Sequence, residues 1–162
     1  MSSVHDRIKT LLAERDITYL VTHHEATPTS EDSARVRGES LSSGAKAIIY
    51  KVQDDFYLFV LAADQRLDPK KIKTHFKNQG KRVKKTRFAT KEELFEHTGL
   101  VPGSVPPFGK PILPYDLIVD ASLNQNDYIS FNAGSLTDSI RMKLDDYISV
   151  CGGEVIDNLI QD

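Results

Sequence analysis

Eight of the 16 residues from Gly99 to Pro114 are glycine or proline: Gly99, Pro102, Gly103, Pro106, Pro107, Gly109, Pro111 and Pro114. Proline removes a backbone donor and fixes φ, while glycine raises the entropic cost of any regular conformation. This stretch therefore cannot be helix or strand, and the fold has to be built around an irregular connection. Such a loop is unusual inside a compact domain unless it serves function. Two readings stand side by side. Successive prolines in Gly103-Ser104-Val105-Pro106-Pro107-Phe108-Gly109 can stiffen the backbone so that its N–H groups point at a carbonyl oxygen, the requirement for stabilising an oxyanion. Alternatively, the loop is a rigid crossover with no chemical role.

The rest of the chain reads as short elements. Val4, Ile8, Leu11 and Leu12 recur at helical spacing, which predicts a helix over 3–15. Ile17 to Thr22 predicts a strand, and Thr29, after Pro28, caps a short helix that Gly38 stops. Ala45–Val52 and Phe56–Ala62 flank Asp54-Asp55 as a hairpin of two strands buried on both faces. Asp68-Pro69 opens a helix to about Asn78, and a basic strand over 83–89 follows. Thr90 then caps a helix over 91–97. Past the loop, 117–119, 128–131, 139–142 and 155–156 predict strands, and 144–150 a helix. About seven strands with irregularly interspersed helices imply an α+β domain, not a doubly wound sheet.

With 162 residues, 40% apolar and 27% charged, the sequence suits one domain spanning 1–162 with a real core. No apolar run approaches the roughly 20 residues of a membrane-spanning helix, and the N-terminus lacks the features of a secretory signal. The single cysteine, Cys151, excludes an intramolecular disulfide and any multi-cysteine metal site, which fits a reducing cytoplasm. His23 and His24 are adjacent, so on a strand they face opposite ways and cannot both ligate one metal. The sequence carries no G-x-S-x-G elbow, no P-loop and no H-E-x-x-H.

Charge is segregated. Lys70 to Arg87 holds nine of the 21 Lys and Arg residues and no acid, leaving 12 bases against all 23 acids elsewhere. Such a block is an electrostatic footprint for a phosphate backbone, or else simply a solvated face. Lys46 interrupts the apolar run Gly44-Ala45-Lys46-Ala47-Ile48-Ile49, either as a snorkelling edge charge or as a cation fixed in a cleft. Phe131-Asn132-Ala133-Gly134-Ser135 ends a strand in small and polar residues, which makes a turn or gives a ligand room to approach. Asp120, at a strand end, invites a carboxylate role, though such a residue is more often a turn or cap.

Together, Gly44-Ala45-Lys46 opening a strand, the basic Leu67-Asp68-Pro69-Lys70-Lys71 helix, the 99–109 loop and the Phe131-Asn132-Ala133-Gly134 turn resemble the YbaK/prolyl-tRNA editing domain family of aminoacyl-tRNA deacylases. The resemblance implies a central, curved and partly closed mixed sheet with surrounding helices. It implies hydrolysis of the ester joining a wrong amino acid to the tRNA 3′ end, by water and without metal, cofactor or side-chain nucleophile. Lys46 matches the family's essential lysine, which the resemblance implies holds the terminal nucleotide or its phosphate, and Gly103 to Pro107 match its G-x-x-x-P loop, whose backbone orients the aminoacyl ester. The positions expected around the aminoacyl group are Ser104, Val105, Pro106, Phe108, Gly109, Asn132, Ala133 and Gly134. The His24–Arg37 stretch is expected in the pocket wall. Lys70, Lys71, Lys81, Arg82, Lys84 and Lys85 are expected to contact tRNA phosphates. A stand-alone, trans-acting editor follows, with an aminoacyl-tRNA synthetase as a possible partner; the alternative is a non-catalytic tRNA- or synthetase-binding module of the same fold.

Overall fold

The computed structural model describes residues 3–27 and 29–162; Met1, Ser2 and Pro28 lie outside the described residues. In chain order the elements are α1 (Val4–Glu14), β1 (Tyr19–His23), α2 (Ser30–Arg37), β2 (Ala45–Val52), β3 (Asp55–Ala62), α3 (Pro69–Asn78), β4 (Thr86–Phe88) and α4 (Lys91–Thr98). After the glycine- and proline-rich loop come β5 (Asp116–Asp120), β6 (Tyr128–Asn132), β7 (Asp138–Lys143), α5 (Leu144–Val150) and β8 (Gly153–Ile156). The class is mixed α+β.

The hairpin of β2 and β3 is the centre of a five-stranded sheet of order β4-β2-β3-β5-β8, antiparallel on the β4 side and parallel beyond β3. The register pairs Val52 with Asp55, so the turn is Gln53-Asp54, one residue earlier than Asp54-Asp55; Gln53 accepts the positive φ of 58°. β3 is buried on both faces, as its unbroken apolar run requires. Leu58, Val60 and Ala62 point into one core, while Phe59 and Leu61 point into a second. The second core is closed by α3, which lays Ile72 and Phe76 on the sheet. Burial of two such side chains contributes about 1.5–3 kcal/mol each.

The sheet expectation needs correction. Among the described residues there are eight strands in two sheets, not about seven in one partly closed sheet. β1, β7 and β6 form a separate antiparallel sheet whose inward residues Ile129, Phe131, Ile140 and Met142 meet Ala45, Ile49, Leu58, Val60, Leu117 and Val119 in the first core. An isolated parallel bridge, Gly44 to Ser130, joins the two. Alternation of apolar and polar residues tells which face a strand buries, but the same pattern serves a strand that extends a sheet or one that stacks upon it.

The basic strand expected over 83–89 shrinks to Thr86–Phe88. The Gln53 side chain accepts the N–H groups of Lys84 and Lys85, and the Lys85 carbonyl accepts the Gln53 N–H, so these backbone groups are taken by the turn before the ladder to β2 begins. Elsewhere the caps sit as expected. Thr29 caps α2, Gly38 ends it with φ 69°, and Thr90 with Glu93 forms a reciprocal capping box on α4. Asp120 accepts from Ser122 N–H and from Leu159 N–H, a structural role.

The C-terminal half of the loop is a core element. Phe108 is fully buried and meets Phe131 and Tyr147 edge-on at centroid distances of 5.5 and 5.6 Å. Phe108→Ala is therefore expected to lower stability by about 3–5 kcal/mol, measured by urea denaturation; a change below about 1 kcal/mol would show that the loop does not depend on this anchor.

Candidate active site

Where the two sheets meet at Gly44 and Ser130, a cleft of about 240 Å³ opens. Its walls come from the first residues of β2, one face of α2, the end of β6 and the loop at Gly103 and Val105, with Leu41, Gly44 and Ala63 between them. Gly44 is needed here because a Cβ would lie 3.0 Å from that of Ala63 and 3.3 Å from the Leu41 carbonyl. A side chain here would have to push Ala63 or the Leu41 carbonyl aside where the 3-10 turn Leu41–Ser43 passes into β2.

Lys46, half-buried, is among the residues that line this cleft. Its ammonium donates to the Gln65 carbonyl, so its position is fixed by backbone. Burial pushes its pKa below the ordinary lysine value, and Arg66 pushes the same way; Glu31 and Asp64 oppose them. The group loses its proton more readily than a free lysine.

Asn132 is the hub. Its Nδ2 donates to the Gly103 carbonyl at 2.7 Å, and its Oδ1 accepts from Arg37 Nη2 at 3.0 Å. Ser139 Oγ accepts from Arg37 Nε at 2.9 Å and lies 2.7 Å from His24 Nε2. Below them Thr27, wholly buried, accepts from Ser33 Oγ at 2.9 Å. A single side chain thus ties β6, α2 and the glycine-proline loop together.

The loop's donors can be counted. Pro106 and Pro107 have no N–H, and the Ser104 N–H is taken by the Val101 carbonyl at 3.1 Å. The N–H groups of Gly103 and Val105 have no hydrogen-bond partner among the described residues, and these two are the loop residues in the cleft wall.

Among the positions named from sequence, Lys46, Gly103, Val105 and Asn132 are brought to one cleft. Ser104 is buried, its hydroxyl bonded to Val101. Pro106, Pro107, Phe108 and Gly109 are buried outside the wall, and the Pro107 carbonyl accepts from Tyr147 Oη at 2.6 Å. A Cβ on Gly109 would sit 2.8 Å from Leu117, so that glycine serves packing. Ala133 is fully buried, and Gly134 lies against Val4 and His5 of α1. From the 24–37 stretch, Thr29, Ser30, Ser33, Ala34 and Arg37 join the wall. Ser130 does as well, without having been singled out.

The basic window lies on and after α3. Lys70, Arg82, Lys84 and Lys85 are exposed. Lys71 donates to the Ile160 carbonyl and to Asp162, and Lys81 to Tyr57 Oη at 3.0 Å. Cys151 is buried at the end of α5, and burial raises its pKa, so it is a packed thiol. Among the described residues no three His, Cys, Asp or Glu are grouped to hold a metal ion, and no helix is long and apolar enough to cross a membrane.

Residues 24–150 match the family described as "Aminoacyl-tRNA editing domain". The chain belongs to that family. It is 34% identical over 161 residues to the multifunctional Ser/Thr-tRNA deacylase ProXp-y of Escherichia coli (strain K12), covering 96% of this chain and 92% of that one. It is 30% identical over 130 residues to YwhH of Bacillus subtilis (strain 168), covering 80% and 76%. A solved structure described as a candidate trans-editing enzyme for prolyl tRNA synthetase superposes with a TM-score of 0.79 at 23% identity, covering 100% and 99%, a likeness of fold.

Asn132→Ala leaves the Gly103 carbonyl and one Arg37 donor without a protein partner. It is expected to cost about 1–3 kcal/mol and to speed amide exchange at 101–105, read by denaturation and hydrogen exchange; unchanged exchange there would remove Asn132 as the loop's anchor.

Proposed function

We propose that the cleft between the two sheets is where this aminoacyl-tRNA deacylase holds the 3′ end of a mischarged tRNA and lets water cleave the ester. What supports the reading is that Lys46, Gly103 and Val105 line one cleft, and that the N–H groups of Gly103 and Val105 have no hydrogen-bond partner among the described residues. Water adds to the acyl carbonyl, the developing oxyanion takes main-chain hydrogen bonds, and the ribose oxygen leaves with a proton, giving free amino acid and uncharged tRNA. An aminoacyl ester is already activated. Positioning and charge stabilisation then suffice without a nucleophilic side chain.

The amino acid would be small. The cleft is about 240 Å³, and Thr29, Ser30 and Ser33 line it with hydroxyl-bearing residues. Seryl and threonyl esters are the substrates suggested by the deacylase relative. Lys70, Arg82, Lys84 and Lys85 would hold acceptor-stem phosphates without reading sequence, with Lys71 and Lys81 contributing less because they are engaged within the chain. A cytoplasmic location and an aminoacyl-tRNA synthetase partner belong to the same reading, as does a single editing domain over 1–162.

Wild-type protein is expected to deacylate Ser- or Thr-tRNA carrying the wrong pairing, and Lys46→Ala to lose about 100-fold or more in kcat/KM, the scale of removing one preorganised charge or donor. Turnover of wild type at the background rate, or equal rates for Lys46→Ala, would overturn the assignment. The charged Lys46 is the working form and its pKa is lowered, so the enzymatic rate above buffer hydrolysis should fall as pH rises through a value below 10.5. A pH series of single-turnover rates checks this. Constancy up to that value would separate Lys46 protonation from catalysis.

A further inference from the structure

Arg37 is the charged residue of the cleft that the reading above leaves without work. It lines the void with Lys46, partly buried at the end of α2, and takes part in none of the ion pairs among the described residues. Arg35, two residues before it, is exposed and paired with both Glu25 and Asp32. The nearest acid in sequence is Glu39, whose Oε2 accepts from Arg141 at 2.7 Å. Burial pushes the Arg37 pKa down while Glu39 pushes it up, and burial is the larger effect. A guanidinium removed from water without a carboxylate is costly unless something repays it. The partial negative charge at the C-terminal end of α2 repays part.

The geometry says what remains. Arg37 Nε donates to Ser139 and Nη2 to Asn132, both neutral acceptors, so one edge of the planar group is clamped in orientation. Nη1 has no hydrogen-bond partner among the described residues and lies 3.9 Å from where a Cβ on Gly44 would stand, at the junction of the sheets. The opposite edge, Nη1 with the second Nη2 hydrogen, is a preorganised fork matching two oxygens of one anion.

We propose that Arg37 is a substrate-binding residue of this cleft that grips a phosphate of the tRNA 3′-terminal nucleotide through its Nη1 edge, with Asn132 and Ser139 as positioning residues behind it. This rests on the cleft receiving the aminoacyl end of tRNA. Phosphate is favoured over the reacting carbonyl because the fork offers two parallel donors, whereas the carbonyl has the Gly103 and Val105 amides. The guanidinium thus orients the substrate, and Lys46 and the loop are left to the ester.

The test uses wild type, Arg37→Lys and Arg37→Gln, each checked for folding by circular dichroism and thermal unfolding. AMP and adenosine are titrated by NMR or calorimetry. Wild type is expected to bind AMP about ten-fold more tightly than adenosine, Arg37→Gln to bind the two alike, and Arg37→Lys to keep only part of the difference, since it retains charge but not the fork. With Ser-tRNA, Arg37→Gln is expected to raise KM about ten-fold with kcat changed less than three-fold, and to lessen the dependence of kcat/KM on salt. Equal discrimination between AMP and adenosine by wild type and Arg37→Gln overturns the proposal. So does a loss confined to kcat, which would place the guanidinium at the reacting oxygen. The nucleotide titration needs no turnover, so a wild type that binds AMP through Arg37 but cleaves no ester sinks the deacylase reading and leaves this one standing.

Discussion

One amide group holds the cleft in shape. Asn132 donates from one side to the Gly103 carbonyl and accepts on the other from Arg37, so a strand end, a helix end and an irregular loop are fixed to one another. These hydrogen bonds lie in a partly buried region, where a satisfied network is rigid and a broken one is costly. The Gly103 carbonyl is turned toward Asn132 and the Ser104 N–H is folded back onto Val101, while the Gly103 and Val105 amides have no partner among the described residues. Prolines at 106 and 107 remove any competing donor.

The two-sheet arrangement explains why the cleft lies where it does. Stacked sheets pack their apolar faces about 10 Å apart, and a void forms only where their edges diverge or are bridged incompletely. Here the bridge is a single pair, Gly44 and Ser130. Two residues beyond that pair in each chain segment, Lys46 and Asn132 line the cleft, while Ile49 and Ile129 lie in the core.

Much of this was legible in the sequence, for identifiable reasons. Helix ends followed from Thr29, Gly38, Asp68 and Thr90, whose capping chemistry is local. The hairpin followed from two apolar runs, though its turn lay one residue early because Gln53 adopts a left-handed conformation that residue type does not advertise. The division into two sheets was not legible, since pairing partners are long-range. Lys46 stood out because a charge interrupts an apolar run. Arg37 did not, because an arginine in a polar helix of sequence SEDSARVR looks like solvated surface until Ser139 and Asn132, about 100 residues away, are seen to clamp it. Within the 103–109 segment, sequence could not tell the part facing the void from the part facing Tyr147 and Leu117.

Main-chain donors have an evolutionary corollary. The amides of Gly103 and Val105 belong to the backbone, so no replacement of a side chain at 105 deletes them, provided it is not proline. Under the role proposed for those amides, substitutions at Ser30, Ala34 or Val105 would resculpt the walls and change which acyl group fits while the main-chain donors persist. A scaffold so arranged can drift between substrates by small steps without passing through an inert intermediate.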